Sequence, residues 1–315
     1  MTKKLKTVMI GTSLTPMSDA VVGAGLQVAR AAGAKVVLVH AFQPRMTHGG
    51  DAYVAEVALV EALEAEKLLI ERRLEEQIER LGLRGELAGK RVECGPSHRV
   101  LTETAEALGA DLLVVGSTES EGLAKMFGST ADRVIRKSLR PVLVVRGPLA
   151  VPPRKVLLPV DFSPLSAVAF RRGLAVVDQI ARDSDVRLEA LHVRADSDRG
   201  LFELSDPELS EPEAIRELDR FVAQNTFASR RSVMIHVVRG EVQAAIRARS
   251  EEWGADLVVL GTHGRGGFER FLLGSVAADV VRRGATSVLV IPPVVEVEVA
   301  KPLRSRAVVA LQATA

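Results

Sequence analysis

The sequence predicts an α/β protein of two tandem domains, each an open, doubly wound, five-stranded parallel sheet with helices on both faces. First, the chain repeats itself, since residues 109–116 read GADLLVVG and residues 254–261 read GADLVVLG. Second, a Gly-Ser pair follows each copy, at residues 128–129 and 274–275. Third, short apolar segments alternate with helical ones, a pattern typical of parallel sheets covered by helices.

The first repeat opens with an apolar strand at residues 7–10 and an amphipathic helix at 18–32, which Gly33 ends. Glu and Arg at exposed helical spacings predict one long surface helix at residues 54–81. The rest of this repeat alternates in the same way. We predict further strands at 35–41, 91–94, 112–115 and 142–145, and further helices at 100–108 and 131–137.

The second repeat has the same order of elements, which gives each domain a Rossmann-like plan. We predict strands at 156–160, 188–193, 233–238, 257–260 and 288–291, and helices at 166–181, 212–224, 243–249 and 277–283. Two prolines, Pro152 and Pro153, disfavour the continuation of either neighbouring element. We therefore assign residues 1–150 and 151–293 to the two domains and 294–315 to a tail, which includes either a further strand at 294–299 or none.

Composition excludes several classes of protein. The chain has 315 residues with 42 basic and 40 acidic side chains, so its net charge of +2 gives no footprint for nucleic acid or an anionic membrane. Aromatic residues make up 3%, too few for a base-stacking platform. One cysteine, Cys94, permits no disulfide framework. The apolar stretch at residues 7–10 is too short for a signal peptide, so we expect a cytoplasmic protein.

The second repeat carries a pattern suited to phosphate. Gly261 and Gly264 allow backbone N–H groups to approach an anion closely, because no Cβ intervenes. Gly274 and Ser275 add the free N–H groups of a helix start and a hydroxyl. Arg265 supplies a positive charge. The alternative is structural, since Gly is a common turn residue and Ser a common N-cap.

This Gly-x2-Gly-x9-Gly-Ser spacing resembles the ATP-binding signature of the universal stress protein family. Residues 158–164 (LPVDFSP) resemble that family's first strand and turn, and residues 191–193 (LHV) its second strand end. The resemblance covers nearly the whole chain twice. It implies ATP as the ligand, with or without Mg²⁺, or else AMP or ADP.

The resemblance also implies which residues bind the nucleotide. Asp161 would lie near the adenosine, with Val160 and Val193 beside the base. The implied phosphate ligands share the glycine-rich segment and the helix start: Gly261, Gly264, Gly274, Ser275 and Val276. Pro159, His263 and Arg265 complete the candidate set. For two of these residues a simpler interpretation stays open, because Asp161 can cap the turn after its strand and His263 can be merely exposed.

The first repeat departs from this pattern. It keeps Gly116, Gly128 and Ser129, but Glu119 stands in place of the second glycine and the following stretch is one residue shorter. Ser13 replaces the aspartate. A carboxylate beside a polyphosphate is repulsive, so we expect the first repeat to bind ATP weakly or not at all.

The remaining reactive residues suggest no catalytic centre. His40 and His192 end equivalent strands and are interpreted as structural, and His48, His98 and His236 lack metal-ligand spacing. Cys94 is expected to be a buried or half-buried, inert thiol. The chain has no Walker loop, and no base can be assigned to Ser163, so we name no catalytic residue.

Three functions remain. The first is a nucleotide-dependent, stress-response binding protein, and the second is an assembly or scaffold protein that does not depend on nucleotide. The third, an adenine-nucleotide enzyme such as an ATP pyrophosphatase, is disfavoured by the residues after the first strand, although slow ATP hydrolysis stays open. The last strands of the repeats, 142–145 and 288–291, are predicted sheet edges that can pair. The resemblance favours their pairing within one chain about a pseudo-twofold axis, and then a homodimer.

Overall fold

The computed structural model describes residues 4–43, 52–117, 130–182, 184–195, 209–229, 231–262 and 273–293, with the backbone alone at 52–60. The first repeat contains, in chain order, β1 (Thr7–Thr12), α1 (Pro16–Ala32), β2 (Lys35–Phe42), α2 (Ala52–Arg80), β3 (Leu87–Cys94), α3 (Ser97–Ala107), β4 (Leu112–Gly116), α4 (Thr130–Lys137) and β5 (Val142–Val145). The second repeat contains β6 (Lys155–Pro159), α5 (Pro164–Ile180), β7 (Arg187–Arg194), α6 (Glu211–Asn225), β8 (Val233–Arg239), α7 (Val242–Trp253), β9 (Leu257–Gly261), α8 (Ser275–Arg283) and β10 (Ser287–Ile291).

The described strands form one continuous sheet in the order β3-β2-β1-β4-β5-β10-β9-β6-β7-β8. All pairs within each repeat are parallel, as predicted. The repeats meet where β5 and β10 run antiparallel, with Val142 opposite Val290 and Val144 opposite Val288. The predicted pairing of the last strands within one chain is therefore confirmed, and it merges two five-stranded sheets into one of ten strands.

Equivalent carboxylates fix the start of the first strand in each repeat. Asp111 Oδ2 accepts from the backbone N–H groups of Lys6 and Thr7, at 2.8 and 3.1 Å. Asp256 Oδ2 does the same for Arg154 and Lys155, at 2.7 and 2.9 Å. Both aspartates belong to the repeated Gly-Ala-Asp motif, so this motif ties the central strand of each repeat to its neighbour.

The core has two layers, one on each face of the sheet. One layer packs α1, α5 and parts of α2 and α6 against the strands, and the other packs α3, α4, α7 and α8. Each layer contains buried side chains from both repeats. Two helices approach the sheet closely because a glycine faces it: a Cβ on Gly25 would lie 2.6 Å from Ile10 Cδ1, and one on Gly173 would lie 2.2 Å from Val259 Cγ1.

The prediction for Cys94 is wrong, because the thiol is exposed. This residue ends β3, which is the outermost strand of the first repeat. An outermost strand has no neighbour on one side, so its last residue is covered less than a central one.

We expect Gly173→Ala to lower the free energy of unfolding by about 1–3 kcal/mol, because its methyl group would overlap Val259. Urea unfolding followed by circular dichroism measures the change. Gly23→Ala is the matched control: it is also a helical glycine, but its added Cβ would meet nothing within 4 Å. A Gly173→Ala protein as stable as the wild type would contradict the close approach of α5.

Candidate functional site

The candidate residues that the structure describes lie at one edge of the second repeat, beyond the carboxyl ends of its strands. β6 and β9 are neighbours, but the chain leaves β6 toward β7 and enters β10 after β9, on the opposite side. Their boundary is the topological switch point, where open parallel sheets bind ligands. Pro159 ends β6 and Gly261 ends β9, so both lie beside this switch point, which we call the crevice.

The turn after β6 is held by short-range hydrogen bonds. Asp161 Oδ1 accepts from the N–H of Ser163 at 2.9 Å, and Ser163 Oγ accepts from the N–H of Ser166 at 3.1 Å, which caps α5. Phe162 has a φ of 64°, a left-handed conformation that a bulky residue rarely adopts. The capping interpretation of Asp161 is thus confirmed, and the residue is half-buried.

Val160 directly follows β6 and Val193 lies near the end of the adjacent strand β7, and their side chains pack against opposite core layers. Val160 is buried and its N–H donates to Leu191 O at 2.8 Å, while Val193 is half-buried near the end of β7. His192 precedes Val193 on β7; it is 7% exposed, and its Nδ1 is 3.0 Å from Val160 O. His40 makes the equivalent contact with Thr12 O at 2.9 Å. The structural interpretation of both histidines is therefore confirmed, and burial lowers the pKa of His40.

An aromatic cluster supports this turn, and sequence reasoning missed it. The Phe162 ring stacks on His192 with centroids 4.1 Å apart, and it also meets Phe221 at 5.9 Å. Phe221 in turn contacts Phe170 edge-on. The available signal was the concentration of rings in the second repeat, since the whole chain has only 9 Phe. These rings hold the backbone that presents Asp161.

The glycine-rich segment between β9 and α8 begins and ends at residues that are hydrogen-bonded to their neighbours. The N–H of Thr262 donates to Ile291 O at 3.1 Å, and the N–H of Gly274 donates back to Thr262 O at 2.7 Å. The two ends of the segment therefore lie side by side at the carboxyl end of β9. His263, Gly264 and Arg265 lie outside the described residues.

The start of α8 presents backbone donors. Gly274 is its N-cap and has no side chain, and no side-chain hydrogen bond caps the helix within the described part of the chain. Ser275 is exposed and Val276 half-buried in its first turn, which lacks acidic residues, whereas Arg282 and Arg283 occupy its last turn. The nearest acid on the helix, Asp279, is paired with Arg247 at 3.0 Å and Arg283 at 3.2 Å. This distribution favours an anion at the N-terminus.

The first repeat differs at the corresponding turn. Ser13 takes the place of Asp161, and its Oγ lies 2.9 Å from Thr15 Oγ1. Beneath it, Gln77 of α2 is 1% exposed and accepts from Thr12 Oγ1 at 2.9 Å. A buried polar network thus stands where the second repeat has aromatic rings. Gly116 ends β4, while Glu119, Gly128 and Ser129 lie outside the described residues.

The described ranges contain neither a metal-binding cluster nor a membrane-spanning helix. No group of three or more His, Cys, Asp or Glu side chains there could hold a metal ion. Nor does any helix there combine the length and apolar character needed to cross a bilayer.

Comparison with known proteins gives one consistent result. The model of the Universal stress protein family matches residues 4–146 and again residues 153–292. A universal stress protein of Mycolicibacterium smegmatis is 34% identical over 192 residues, which are 58% of this chain and 62% of the relative. The chain thus spans less than two thirds of that relative's length. A universal stress protein of Methanocaldococcus jannaschii is 31% identical over 148 residues, or 44% of this chain and 81% of the relative.

Among solved structures, a universal stress protein from Archaeoglobus fulgidus has a TM-score of 0.63 and covers 92% of this chain and 97% of its own. Its sequence identity is 20%, so this likeness concerns the fold.

We expect Asp161→Ala to lower the free energy of unfolding by about 0.5–1.5 kcal/mol, because Ser163 N–H loses its acceptor. Asp161→Asn should leave stability nearly unchanged, since an amide oxygen accepts the same bond. Thermal and urea unfolding of both variants measure the difference. Equal stability of Asp161→Ala and Asp161→Asn would contradict the capping role.

Proposed function

Because the chain belongs to the universal stress protein family, we propose that it is a cytoplasmic, ATP-binding stress-response protein whose second repeat holds one adenine nucleotide. The observation that carries this proposal is the start of α8: the N–H groups of Ser275 and Val276 in its uncapped first turn, beside the glycine that ends β9, at the switch point of the sheet. Binding of a nucleotide to the folded state would stabilise the protein. The presence or absence of bound nucleotide would then signal the nucleotide supply to a partner protein.

In this proposal the phosphates bind the glycine-rich segment and the helix start. The N–H groups of Ser275 and Val276 donate to phosphate oxygens, and the helix dipole adds to this attraction. Gly261 and Gly264 permit close approach of the backbone. Arg265 and His263 add donors from the same segment. The tie between Thr262 and Gly274 supports this assignment, because it keeps the segment's two ends together.

The adenosine binds across the ends of β6 and β7. Val160 and Val193 offer apolar contacts to the base, Pro159 forms the adjacent wall, and the Asp161 carboxylate accepts hydrogen bonds from the nucleoside. The described residues hold no metal cluster, so Mg²⁺ would arrive with the ATP phosphates. ADP and AMP would use the same adenosine contacts with fewer phosphate contacts.

We propose that the first repeat binds nucleotide weakly or not at all. Ser13 offers a hydroxyl where the second repeat has a carboxylate, and Glu119 replaces the second glycine of the motif. The expected ratio is therefore one nucleotide per chain.

A homodimer belongs to the same proposal. Since β5 and β10 already pair with each other inside the chain, two chains would associate through other surfaces, such as the outer strands β3 and β8. Light scattering after size exclusion measures this association directly.

We expect the purified full chain to bind one ATP, and Gly264→Glu to reduce its affinity at least about 100-fold, because a carboxylate and a Cβ then oppose the phosphates. Isothermal titration calorimetry gives both the ratio and the affinity. Phe227→Glu is the control for the added charge, since Phe227 is 79% exposed and lies between the end of α6 and the start of β8, on the side of the amino ends of the strands.

Two results would overturn the proposal. Undiminished ATP affinity in Gly264→Glu would mean that the glycine-rich segment is not the phosphate site. No ATP binding by the wild type would leave the nucleotide-independent scaffold as the better function. Two tight sites per chain would refute the proposal for the first repeat alone.

A further inference from the structure

The helix α8 is held at its far end by the first repeat. Arg146 follows β5 directly, and its Nη2 donates to Val281 O in the last turn of α8 at 2.8 Å. The last carbonyl groups of a helix have no partner within the helix, and a cation there also opposes the negative end of the dipole. Arg146 therefore caps α8 from the other repeat.

The position of Arg146 is itself fixed by the second repeat. Ser287 Oγ, at the start of β10, accepts from the N–H of Arg146 at 3.0 Å and donates to Arg146 O at 3.3 Å. Ser287 is 3% exposed. The backbone of Arg146, whose guanidinium caps α8, is thus hydrogen-bonded to β10, the strand that follows α8.

A second contact joins α8 to α4. Asp132, in the first turn of α4, is 3% exposed. Its Oδ1 accepts from Arg282 Nη2 on α8 at 3.0 Å, and its Oδ2 accepts from Arg136 Nε on α4 at 3.0 Å. A buried carboxylate between two guanidinium groups is costly to disturb, because removing its partners leaves a buried charge unpaired.

The residues that make these contacts are not repeated at the equivalent positions of the other repeat, although the two repeats meet about a pseudo-twofold axis. Aligning Val142–Val145 with Val288–Ile291 places Pro292 at the position of Arg146 and Pro141 at that of Ser287. The same alignment places Ala278 at the position of Asp132. None of Pro292, Pro141 and Ala278 has a side-chain donor or acceptor. The Asp132–Arg282 pair therefore holds α4 and α8 together, whereas the Arg146 cap of α8 has no counterpart on α4 within the described part of the chain.

We propose that the first repeat is a positioning brace for the phosphate-binding helix of the second repeat, acting through Asp132 and Arg146. This inference rests on the function proposed above. The N–H groups at a helix start bind phosphate only where they point toward it. N–H groups that surrounding contacts hold in place bind phosphate more tightly than N–H groups that move. The first repeat thus keeps a role in nucleotide binding while holding no nucleotide itself.

The test uses the full chain with Arg146→Met and Asp132→Ala, the latter installing the residue found at position 278. The matched control is Arg80→Met, which removes an exposed guanidinium paired with Asp19 inside the first repeat, on the opposite face of the sheet. Arg146→Lys tests rescue, because an ammonium group still donates to the Val281 carbonyl. Hydrogen exchange of the α8 amides is measured without nucleotide, and calorimetry measures the binding of ATP, tripolyphosphate and adenosine.

We expect Arg146→Met and Asp132→Ala each to accelerate α8 exchange and to weaken ATP and tripolyphosphate binding by about 5–20-fold, as loss of a charge-assisted hydrogen bond predicts. Adenosine binding should not change, because adenosine does not touch α8. Arg146→Lys should recover most of the loss, and Arg80→Met should behave as the wild type.

Unchanged α8 exchange in both variants would overturn the proposal. So would an equal loss of adenosine and tripolyphosphate affinity, which would indicate general loosening of the second repeat. If the wild type binds no nucleotide, the proposed function fails, but α8 exchange still decides whether the first repeat braces this helix.

Discussion

The antiparallel pairing of β5 with β10 is the contact on which the rest of the molecule depends. Each repeat ends in a short strand whose residues are all buried, and each strand would be an open edge in an isolated domain. Their hydrogen bonds close both edges at once and make one sheet of ten strands. The same pairing continues both core layers across the junction and brings α4 beside α8.

The two repeats share one plan but differ at the corresponding edge of the sheet. The second repeat has the features that suit a nucleotide, namely an aromatic-supported turn at Asp161 and an uncapped helix start at Ser275. The first repeat has a buried Gln77 network in the corresponding region and lacks the second motif glycine. Its side chains at Asp132 and Arg146 reach across the junction instead.

Much of the fold was predictable because its signals are local. Apolar runs and helical spacing gave the order of elements, and Gly33 ends α1 in the left-handed conformation that was expected. Helix ends were predicted less well: α7 continues to Trp253 because Gly254 is the residue that stops it. The Arg146 cap and the exposure of Cys94 were not predictable, because each depends on which strands become neighbours, and the only signal for the Phe162–His192 stack was the concentration of rings in the second repeat.

In the proposed function, backbone donors at the start of α8 hold a polyphosphate in the second repeat alone. A crystal structure of the full chain grown with ATP and Mg²⁺ tests it most directly. We predict one nucleotide per chain, with phosphate oxygens about 2.9 Å from the amide nitrogens of Ser275 and Val276. Phosphates bound elsewhere, or amides of α8 turned away from them, would contradict the account.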